Sequence, residues 1–316
     1  MKNTEDNNPI TEHAIETIKS VIGKKLIVDQ PLAEYNTFGT GGNARLFVNV
    51  DSSEELVKVV KIAEDMKIPF FMLGGGSNVL VADSGYEGLV IKNCIKGLKT
   101  DGNSVIAGAG EELQDLIDFT AGNGISGLEF ASGIYGTVGG AIFGNAGAYG
   151  SDVGTYVESV ELVDRQGNIR NEPGGYFEFG YRYSKLKRTR EFAARAKFAL
   201  KSGNKDQIRA RIDEILAMRK EKLPENAKTA GCFFKNIPDP GEEHGKMAAG
   251  KLLDEIGAKE MTHGGARVFE KHANIILNDG TADSTEIVAL SRKLKAKVKN
   301  KFGIELEEEI TFLGKV

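Results

Sequence analysis

Apolar residues recur at helical spacing in several stretches of the chain. Between residues 52 and 66, four of them fall on one helical face: Leu56, Val59, Val60 and Ala63. Ser52 or Ser53 precedes two glutamates there, which is a helix-start signal because a serine oxygen can accept from the first N–H groups of a helix. The pattern predicts this helix and others at 111–123, 204–222, 248–256 and 284–302.

Short apolar runs between these helices predict strands. They cover residues 69–73, 79–82, 88–93, 104–108, 157–164, 193–200 and 274–277, with a last strand near the C-terminus. The glycine-rich residues 74–78 join two predicted strands, whereas a Rossmann unit requires a helix at that point. The order of elements therefore indicates a chain of mixed helices and strands that is not of the Rossmann type.

Length and charge narrow the class of protein. The 316 residues, 41% of them hydrophobic, suffice for two or three compact lobes. The 41 Lys and Arg against 45 Asp and Glu give a net charge of −4, so no overall basic field would attract nucleic acid or an anionic membrane. Residues 1–19 lack the apolar segment of an export signal, and no stretch approaches the roughly 20 apolar residues that span a bilayer. We therefore expect a cytoplasmic protein that binds neither nucleic acid nor membrane.

Cysteine and histidine offer little metal or disulfide chemistry. Cys94 and Cys232 lie far apart in a chain without an export signal, so we expect free thiols. The four histidines show no paired spacing of the kind that binds zinc. We therefore expect no bound metal.

Glycine is the informative excess in the composition. The chain contains 39 glycines against 7 prolines, and the glycines concentrate between Gly39 and Gly180. The segment GGGSN at residues 74–78 offers consecutive unobstructed N–H groups with a hydroxyl and an amide, which suits a diphosphate. A tight turn between two strands would explain three glycines equally well.

A second glycine-rich segment extends over residues 131–150. It reads ASGIYGTVGGA at 131–141 and NAGAYG at 145–150. Small residues alternate there with apolar ones, as a wide, thin planar ligand lying against backbone would require. The alternative is a strand and a helix that cross closely at glycine and alanine. The presence of two such segments favours the ligand.

These glycine segments, with several other motifs, resemble one enzyme family. The further matches are NTFGTGG at 36–42, FGYRYS at 179–184, KLP at 222–224, AGCFFKN at 230–236, KHAN at 271–274 and FGIELEEE at 302–309. On these residues, which are spread over almost the whole chain, the sequence is identified as a member of the UDP-N-acetylenolpyruvoylglucosamine reductase (MurB) family. Segments 181–195 and 264–278 look like those of its shorter, type II form.

The resemblance implies an α+β fold with two domains. The first is an FAD-binding domain of the vanillyl-alcohol-oxidase (PCMH) type, expected at 1–203 and built from two α/β subdomains at about 20–85 and 86–203. The second is an α/β substrate-binding domain at 204–316, whose last strand could return to the FAD-binding domain. The implied protein is a cytoplasmic enzyme of bacterial peptidoglycan precursor synthesis, and we expect a monomer.

The resemblance also implies the cofactors and the reaction. NADPH reduces FAD, and hydride then passes to C3 of the enolpyruvyl ether of UDP-N-acetylglucosamine enolpyruvate. A proton at C2 completes UDP-N-acetylmuramate. Because hydride addition drives negative charge toward C2 and its carboxylate, the protein must stabilise that charge and supply the proton.

Three residues match the catalytic positions of the family. Arg182 would stabilise the charge, since a guanidinium binds a carboxylate by two parallel N–H bonds; without its motif it would be one member of a basic surface run. Glu309 would act with it at the substrate carboxylate. Cys232 stands where most of the family has a proton-donating serine, and a thiol of pKa about 8.5 can also donate a proton. The alternative for Cys232 is a small buried hydrophobic residue.

The other implied contacts form a substrate set and a cofactor set. The substrate set is Tyr181, Lys222, Lys235 and Asn236. The cofactor set is Asn36, Thr37, Gly74, Gly75, Gly76, Ser77, Asn78, Ser132, Gly133, Gly136, Thr137, Gly139, Gly140, Ala141, Asn145 and Gly147. Two departures from the family pattern are Tyr135 in place of a proline, which affects the stiffness of its loop, and Thr311 in place of an arginine.

Two other functions are compatible with parts of the sequence. A small-alcohol oxidase could share the fold, although the AGCFFKN motif and the terminal glutamate argue against it. A non-catalytic protein could use residues 74–78 only to hold a nucleotide diphosphate. Fast reoxidation by air would indicate the oxidase, and a colourless purified protein would indicate the second.

Overall fold

The structure is a computed structural model that describes residues 10–222, 226–242 and 245–316. The helices are α1 (Glu12–Ile22), α2 (Ser53–Asp65), α3 (Leu113–Gly122), α4 (Val138–Gly144), α5 (Leu186–Thr189), α6 (Lys205–Lys222), α7 (Ala249–Glu255) and α8 (Ser284–Phe302). The strands are β1 (Ile27–Pro31), β2 (Asn43–Val50), β3 (Phe70–Leu73), β4 (Val79–Val81), β5 (Tyr86–Asn93), β6 (Leu98–Asp101), β7 (Ser104–Gly108), β8 (Ile125–Ser126), β9 (Gly147–Ala148), β10 (Ser151–Asp152), β11 (Val157–Val163), β12 (Ile169–Pro173), β13 (Phe192–Ala199), β14 (Lys201–Ser202), β15 (Ile237–Pro238), β16 (Lys246–Met247), β17 (Thr262–His263), β18 (Ala266–Phe269), β19 (His272–Asn278) and β20 (Thr311–Leu313).

Contacts divide the chain into two compact units that are not continuous in sequence. Unit 1 combines the described residues up to Gln30 with Ala44–Gly74 and Glu87–Ile212. Unit 2 combines Pro31–Asn43, Gly75–Tyr86 and the described residues from Asp213 to Val316. The assignment of cofactor binding to 1–203 and substrate binding to 204–316 stays a prediction.

Unit 1 contains one sheet with helices packed on it near the start of the chain. Its strand order is β1-β2-β5-β3, with β3 and β5 parallel. The hydroxyl of Ser52 caps α2 by accepting from the Glu55 N–H, as the sequence predicts. The apolar face of α2 then packs with α1, β2 and β5 in one core. This packing stabilises the pair of helices that cover the sheet.

A second sheet of unit 1 lies later in the chain. Its strand order is β12-β11-β13-β7-β6, and each of its neighbouring strands is antiparallel. Residues of α3 and α4 pack with β7, β11 and β13 in a core that also includes Ile208 and Ile212 of α6. The glycine-rich α4 therefore depends on tertiary packing, because its own helix propensity is low.

Unit 2 surrounds the long helix α8. Its core contains α7, α8, β18 and β19 together with Phe38, Leu80 and the adjacent Phe233 and Phe234. Strand β20 pairs in parallel with β4 within this unit. Helix α8 begins at a double cap, since the carboxylates of Asp83 and Asp283 both accept backbone N–H bonds from its first turn.

All predicted helices are confirmed within two residues at each end, and every predicted strand has an observed counterpart. Helix α1, whose Ala14, Ile15 and Ile18 are buried, and helix α4, which lies inside the second glycine segment, were not predicted. The strand predicted near the C-terminus is β20.

Other expectations concern cysteines, metals and membranes. Neither Cys94 nor Cys232 is in a disulfide, as predicted. Within the described ranges, no group of three or more His, Cys, Asp or Glu is arranged to hold a metal ion. No helix of the described chain is long and apolar enough to cross a membrane.

Candidate active site

The predicted site residues are distributed over both units. Arg182 lies in unit 1 at the tip of a tight turn, where the backbone N–H groups of Gly180 and Tyr183 donate to each other's carbonyl oxygens at 3.0 and 3.1 Å. Its φ is 52°, a left-handed conformation that a non-glycine residue adopts at a cost of about 1 kcal/mol. Such strain clusters at functional positions, where the surrounding structure imposes it.

Three contacts fix this turn. The side chain of Asn145 donates to the carbonyl oxygen of Gly180 and accepts from the N–H of Gly154, both at 2.9 Å. The Lys187 ammonium donates to the carbonyl oxygen of Arg182 at 2.7 Å. Because the Asn145 amide bonds protein backbone on both sides, its side chain positions the arginine turn.

The guanidinium of Arg182 is oriented from within the same unit. Its Nη1 donates to the carbonyl oxygen of Gly147 at 2.9 Å, and its Cζ lies 5.4 Å from the centre of the Tyr181 ring. Tyr181 is itself 38% exposed. An oriented guanidinium beside an accessible aromatic ring is suited to bind a planar carboxylate.

The second glycine segment is partly a helix, which corrects its interpretation as a continuous ligand loop. Gly139, Gly140 and Ala141 lie in α4, and the Thr137 hydroxyl caps that helix by accepting from the Gly140 N–H at 3.4 Å. A Cβ on Gly139 would lie 3.0 Å from both the Cβ and the carbonyl oxygen of Ala109. Close packing of α4 against Ala109, the residue after β7, therefore explains Gly139. Ala141 is buried in the core.

Other members of the cofactor set in unit 1 fit a bound group. Ser132 is fully buried, and its Oγ has no hydrogen-bond partner among the described residues. Buried hydroxyls are normally paired, so a ligand would satisfy it. Gly74 also has no room for a side chain, because a Cβ there would lie 2.6 Å from the Thr137 Oγ1. The N–H of Gly133 donates to the side-chain oxygen of Gln114, and the carbonyl oxygen of Gly136 accepts from the N–H of Leu113.

Lys92 belongs to the same region, although it was not among the predicted site residues. Its ammonium donates to the carbonyl oxygen of Gly74 at 2.5 Å. Burial lowers the pKa of Lys92. The sequence does contain a signal for this residue, since Lys92 directly follows the apolar run Leu89-Val90-Ile91 within a predicted strand.

The other members of the cofactor set, Asn36, Thr37 and residues 75–78, lie in unit 2, where contacts within the protein account for much of their hydrogen bonding. The Asn36 side chain closes its own loop by bonding Leu32, Thr40 and Gly39 backbone atoms. Thr37 donates through its hydroxyl to the Thr229 carbonyl oxygen at 2.6 Å and through its N–H to the Gly76 carbonyl oxygen at 3.2 Å.

Gly76 is required by a backbone approach. A Cβ there would lie 1.9 Å from the carbonyl oxygen of Tyr35, and its φ is 69°. Gly75 and Ser77 are half-buried on either side of it. Asn78 follows and donates to the carbonyl oxygen of Glu309 at 3.1 Å. Contacts within unit 2 therefore hold the backbone of residues 75–78, which remain a candidate diphosphate loop.

The structure brings Cys232 and Glu309 onto neighbouring segments of unit 2. The Glu309 N–H donates to the carbonyl oxygen of Phe233 at 2.8 Å, and Phe234 forms an antiparallel bridge with Glu308. On its other side, Cys232 bridges Ile275. Cys232 and Glu309 are both half-buried, with the fully buried Phe233 between them in the pairing.

The neighbouring glutamates have lysine partners. Glu305, Glu307 and Glu308 form ion pairs with Lys299, Lys235 and Lys295, respectively. In the predicted substrate set, Lys235 thus already pairs with Glu307, and the Asn236 side chain accepts from the Ala249 N–H at 3.2 Å. The side chain of Lys222 lies outside the described residues.

Two family models match the chain. One describes an FAD binding domain and matches residues 44–171. The other describes the C-terminal domain of UDP-N-acetylenolpyruvoylglucosamine reductase and matches residues 223–313.

Similar proteins extend over nearly the full length. A UDP-N-acetylenolpyruvoylglucosamine reductase of Caldanaerobacter subterraneus subsp. tengcongensis is 36% identical over 307 residues, covering 96% of this chain and 99% of the relative. One of Geobacillus thermodenitrificans is 33% identical over 305 residues, covering 96% and 98%.

Solved structures agree with these matches. The crystal structure of the Thermus caldophilus UDP-N-acetylenolpyruvylglucosamine reductase is 32% identical with a TM-score of 0.75, covering 92% of this chain and 98% of that one. A VAO-type flavoprotein of Myceliophthora thermophila shares the fold at 13% identity and a TM-score of 0.55, covering 94% and 86%. The predicted fold class, with a vanillyl-alcohol-oxidase-type FAD domain and a C-terminal domain, is confirmed.

Proposed function

The chain belongs to the UDP-N-acetylenolpyruvoylglucosamine reductase (MurB) family, and from that premise we propose that it reduces UDP-N-acetylglucosamine enolpyruvate to UDP-N-acetylmuramate with NADPH. It is an FAD-dependent oxidoreductase. The observation that carries the function is the match to named reductases over 96% of the chain, which includes both the FAD-binding and the C-terminal regions.

We propose that Arg182 stabilises the charge that develops on the substrate. FAD, when bound, would supply hydride for C3 of the enolpyruvyl ether, and negative charge would then develop at C2 and its carboxylate. The bond from Nη1 to the Gly147 oxygen and the strained, braced turn support this role, because they fix the guanidinium before substrate binds. A preorganised cation avoids reorganisation during the reaction.

We propose that Cys232 donates the proton to C2 and that Glu309 acts at the substrate carboxylate. The thiol is half-buried in a paired segment, so its position is constrained. The position of Glu309 supports this role, because its N–H donates at 2.8 Å to the carbonyl oxygen of Phe233, the residue next to Cys232. A residue that donates a proton in this way contributes about 10²- to 10⁴-fold to the rate.

The test of the reaction is an anaerobic titration of the purified protein. NADPH should bleach the flavin absorbance, and UDP-N-acetylglucosamine enolpyruvate should restore it with formation of UDP-N-acetylmuramate. Rapid reoxidation by air without the UDP-sugar would instead indicate an oxidase. A colourless protein that does not take up FAD would contradict the flavoenzyme assignment altogether.

The role of Cys232 is tested by separating the two half-reactions. Cys232→Ala should leave reduction by NADPH unchanged and slow reoxidation by substrate about 10²- to 10⁴-fold. Cys232→Ser is the matched control, because it keeps an O–H donor, and it should retain most of the rate. If the alanine variant reoxidises at the normal rate, Cys232 is not the proton donor.

We also propose that the enzyme is a cytoplasmic monomer. The near-neutral net charge of −4 supports a protein without nucleic-acid or membrane partners. Light scattering of the eluted holoenzyme should give a mass close to 34.1 kDa, and a mass near twice that value would contradict the monomer.

A further inference from the structure

Lys92 is a positive charge placed in an apolar strand. It is the penultimate residue of β5, and its neighbours Leu89, Val90 and Ile91 are fully buried. Leu89 and Ile91 pack in the core with α2, so strand alternation directs Lys92 to the opposite face of the sheet. A lysine there is unfavourable unless an anion or several acceptors compensate its burial.

The protein itself supplies only part of that compensation. The ammonium donates to the carbonyl oxygen of Gly74, and it forms no ion pair with any carboxylate in the part of the chain that the structure describes. Burial is the main reason that its pKa is lowered; Cys94 and then Glu112 raise the pKa, and the charge of Lys96 lowers it further. The environment therefore has a place for one more negative charge.

The neighbourhood identifies the missing partner. Lys92 contacts Gly74, where the first glycine segment begins, and Gly74 lies against the Thr137 hydroxyl that caps α4. Gly74 thus lies between Lys92 and Thr137 within unit 1, and Gly74 and Thr137 both belong to the predicted cofactor set. We propose that Lys92 binds the diphosphate of FAD. This inference depends on the FAD chemistry of the family, and it adds a charged contact to a segment that otherwise offers backbone N–H groups.

The contact should be worth a measurable part of the affinity. An ammonium that pairs with phosphate inside a partly buried site contributes a charge-assisted hydrogen bond, which is worth about 1.5–3 kcal/mol or roughly 10- to 150-fold in affinity. In the absence of FAD the same ammonium should lower the free energy of unfolding, because burying an uncompensated charge destabilises the folded chain.

The experiment compares Lys92→Met and Lys92→Arg with wild type. Apo-protein is titrated with FAD by flavin fluorescence at low and high salt, and its urea unfolding is measured in parallel. Lys92→Met should raise the Kd for FAD at least tenfold and flatten its salt dependence, without lowering the stability of apo-protein. Lys58→Met is the control for charge, since Lys58 is exposed on α2, whose opposite face packs against Leu89 and Ile91. It should change the Kd less than twofold.

A ³¹P spectrum of bound FAD gives a direct readout. Lys92→Arg should keep affinity within about threefold but shift the diphosphate resonances, and this variant serves if the methionine variant does not fold. An unchanged Kd in Lys92→Met, or a weaker Kd matched by an equal loss of apo-protein stability, would overturn the proposal in favour of a structural bond to Gly74. A raised KM for NADPH with an unchanged FAD Kd would assign the ammonium to another phosphate. Failure of wild type to bind FAD would refute the proposed function itself.

Discussion

Asn145 allows a sharp test of how the fold positions Arg182. Its φ of 45° is left-handed, and its side chain makes two backbone bonds of 2.9 Å, to Gly180 and from Gly154. Losing both bonds should cost about 2 kcal/mol, at about 1 kcal/mol for each bond. A left-handed alanine adds about 1 kcal/mol, which a glycine avoids. Asn145→Ala should therefore cost about 3 kcal/mol and Asn145→Gly about 2 kcal/mol.

Urea unfolding of the apo-protein measures these values, and stopped-flow absorbance measures the two half-reactions. Both variants should slow reoxidation by the UDP-substrate more than tenfold, because the turn that carries Arg182 loses its brace, while flavin reduction by NADPH changes little. Asn145→Asp keeps the acceptor for Gly154 but places a buried carboxylate against the Gly180 carbonyl oxygen, so at pH 7 it should cost at least as much as Asn145→Ala. The reasoning is refuted if Asn145→Gly unfolds at the wild-type urea concentration and turns over at the wild-type rate.

Three further predictions follow from individual contacts. Burial alone would raise the pKa of Asp83, but hydrogen bonds from Ser284 and Thr285 outweigh it and lower the pKa; Asp83→Asn should therefore cost about 1–3 kcal/mol at pH 7, and the difference, measured by urea unfolding, should shrink as the pH falls below about 4, where the carboxylate of the unfolded chain takes up a proton before that of the folded protein. Gly76→Ala should cost about 2–4 kcal/mol because its Cβ would lie 1.9 Å from the Tyr35 oxygen, whereas Gly257→Ala, with φ 70° and no atom within 4 Å, should cost only about 1 kcal/mol in the same assay. Arg182→Lys should slow reoxidation by substrate about 10²- to 10³-fold with unchanged reduction by NADPH, and equal rates in stopped flow would count against charge stabilisation by a guanidinium.

The sequence determined the elements whose signals are local. Helix α8 was predicted with its observed ends because its apolar spacing and the glycine that follows lie within one continuous stretch. The same holds for α2 with its serine cap. Helix α4 gave no such signal, since glycines disfavour a helix and only packing against Ala109 and the second sheet stabilises it.

The motifs identified the family, but tertiary structure decided what individual residues do. Gly139 and Gly76 match the family pattern as ligand-facing glycines, yet other parts of the chain leave no room for a side chain at either position. An added Cβ would lie 3.0 Å from Ala109 at Gly139 and 1.9 Å from the Tyr35 carbonyl oxygen at Gly76. Likewise, Cys232 and Glu309 are far apart in sequence, and only the pairing of their segments, through the bond from the Glu309 N–H to the Phe233 carbonyl oxygen, brings them close together.

Lys92 shows the same division most clearly. Periodicity along the chain records which residues are apolar, so it could predict the strand that contains Lys92. It does not record which distant atoms come within hydrogen-bonding distance, and the approach of Gly74 to this lysine depends on the parallel pairing of β3 with β5. Local patterns therefore determined the elements and the family of this protein, whereas contacts between residues far apart in sequence decided which side chains can bind, position or merely support.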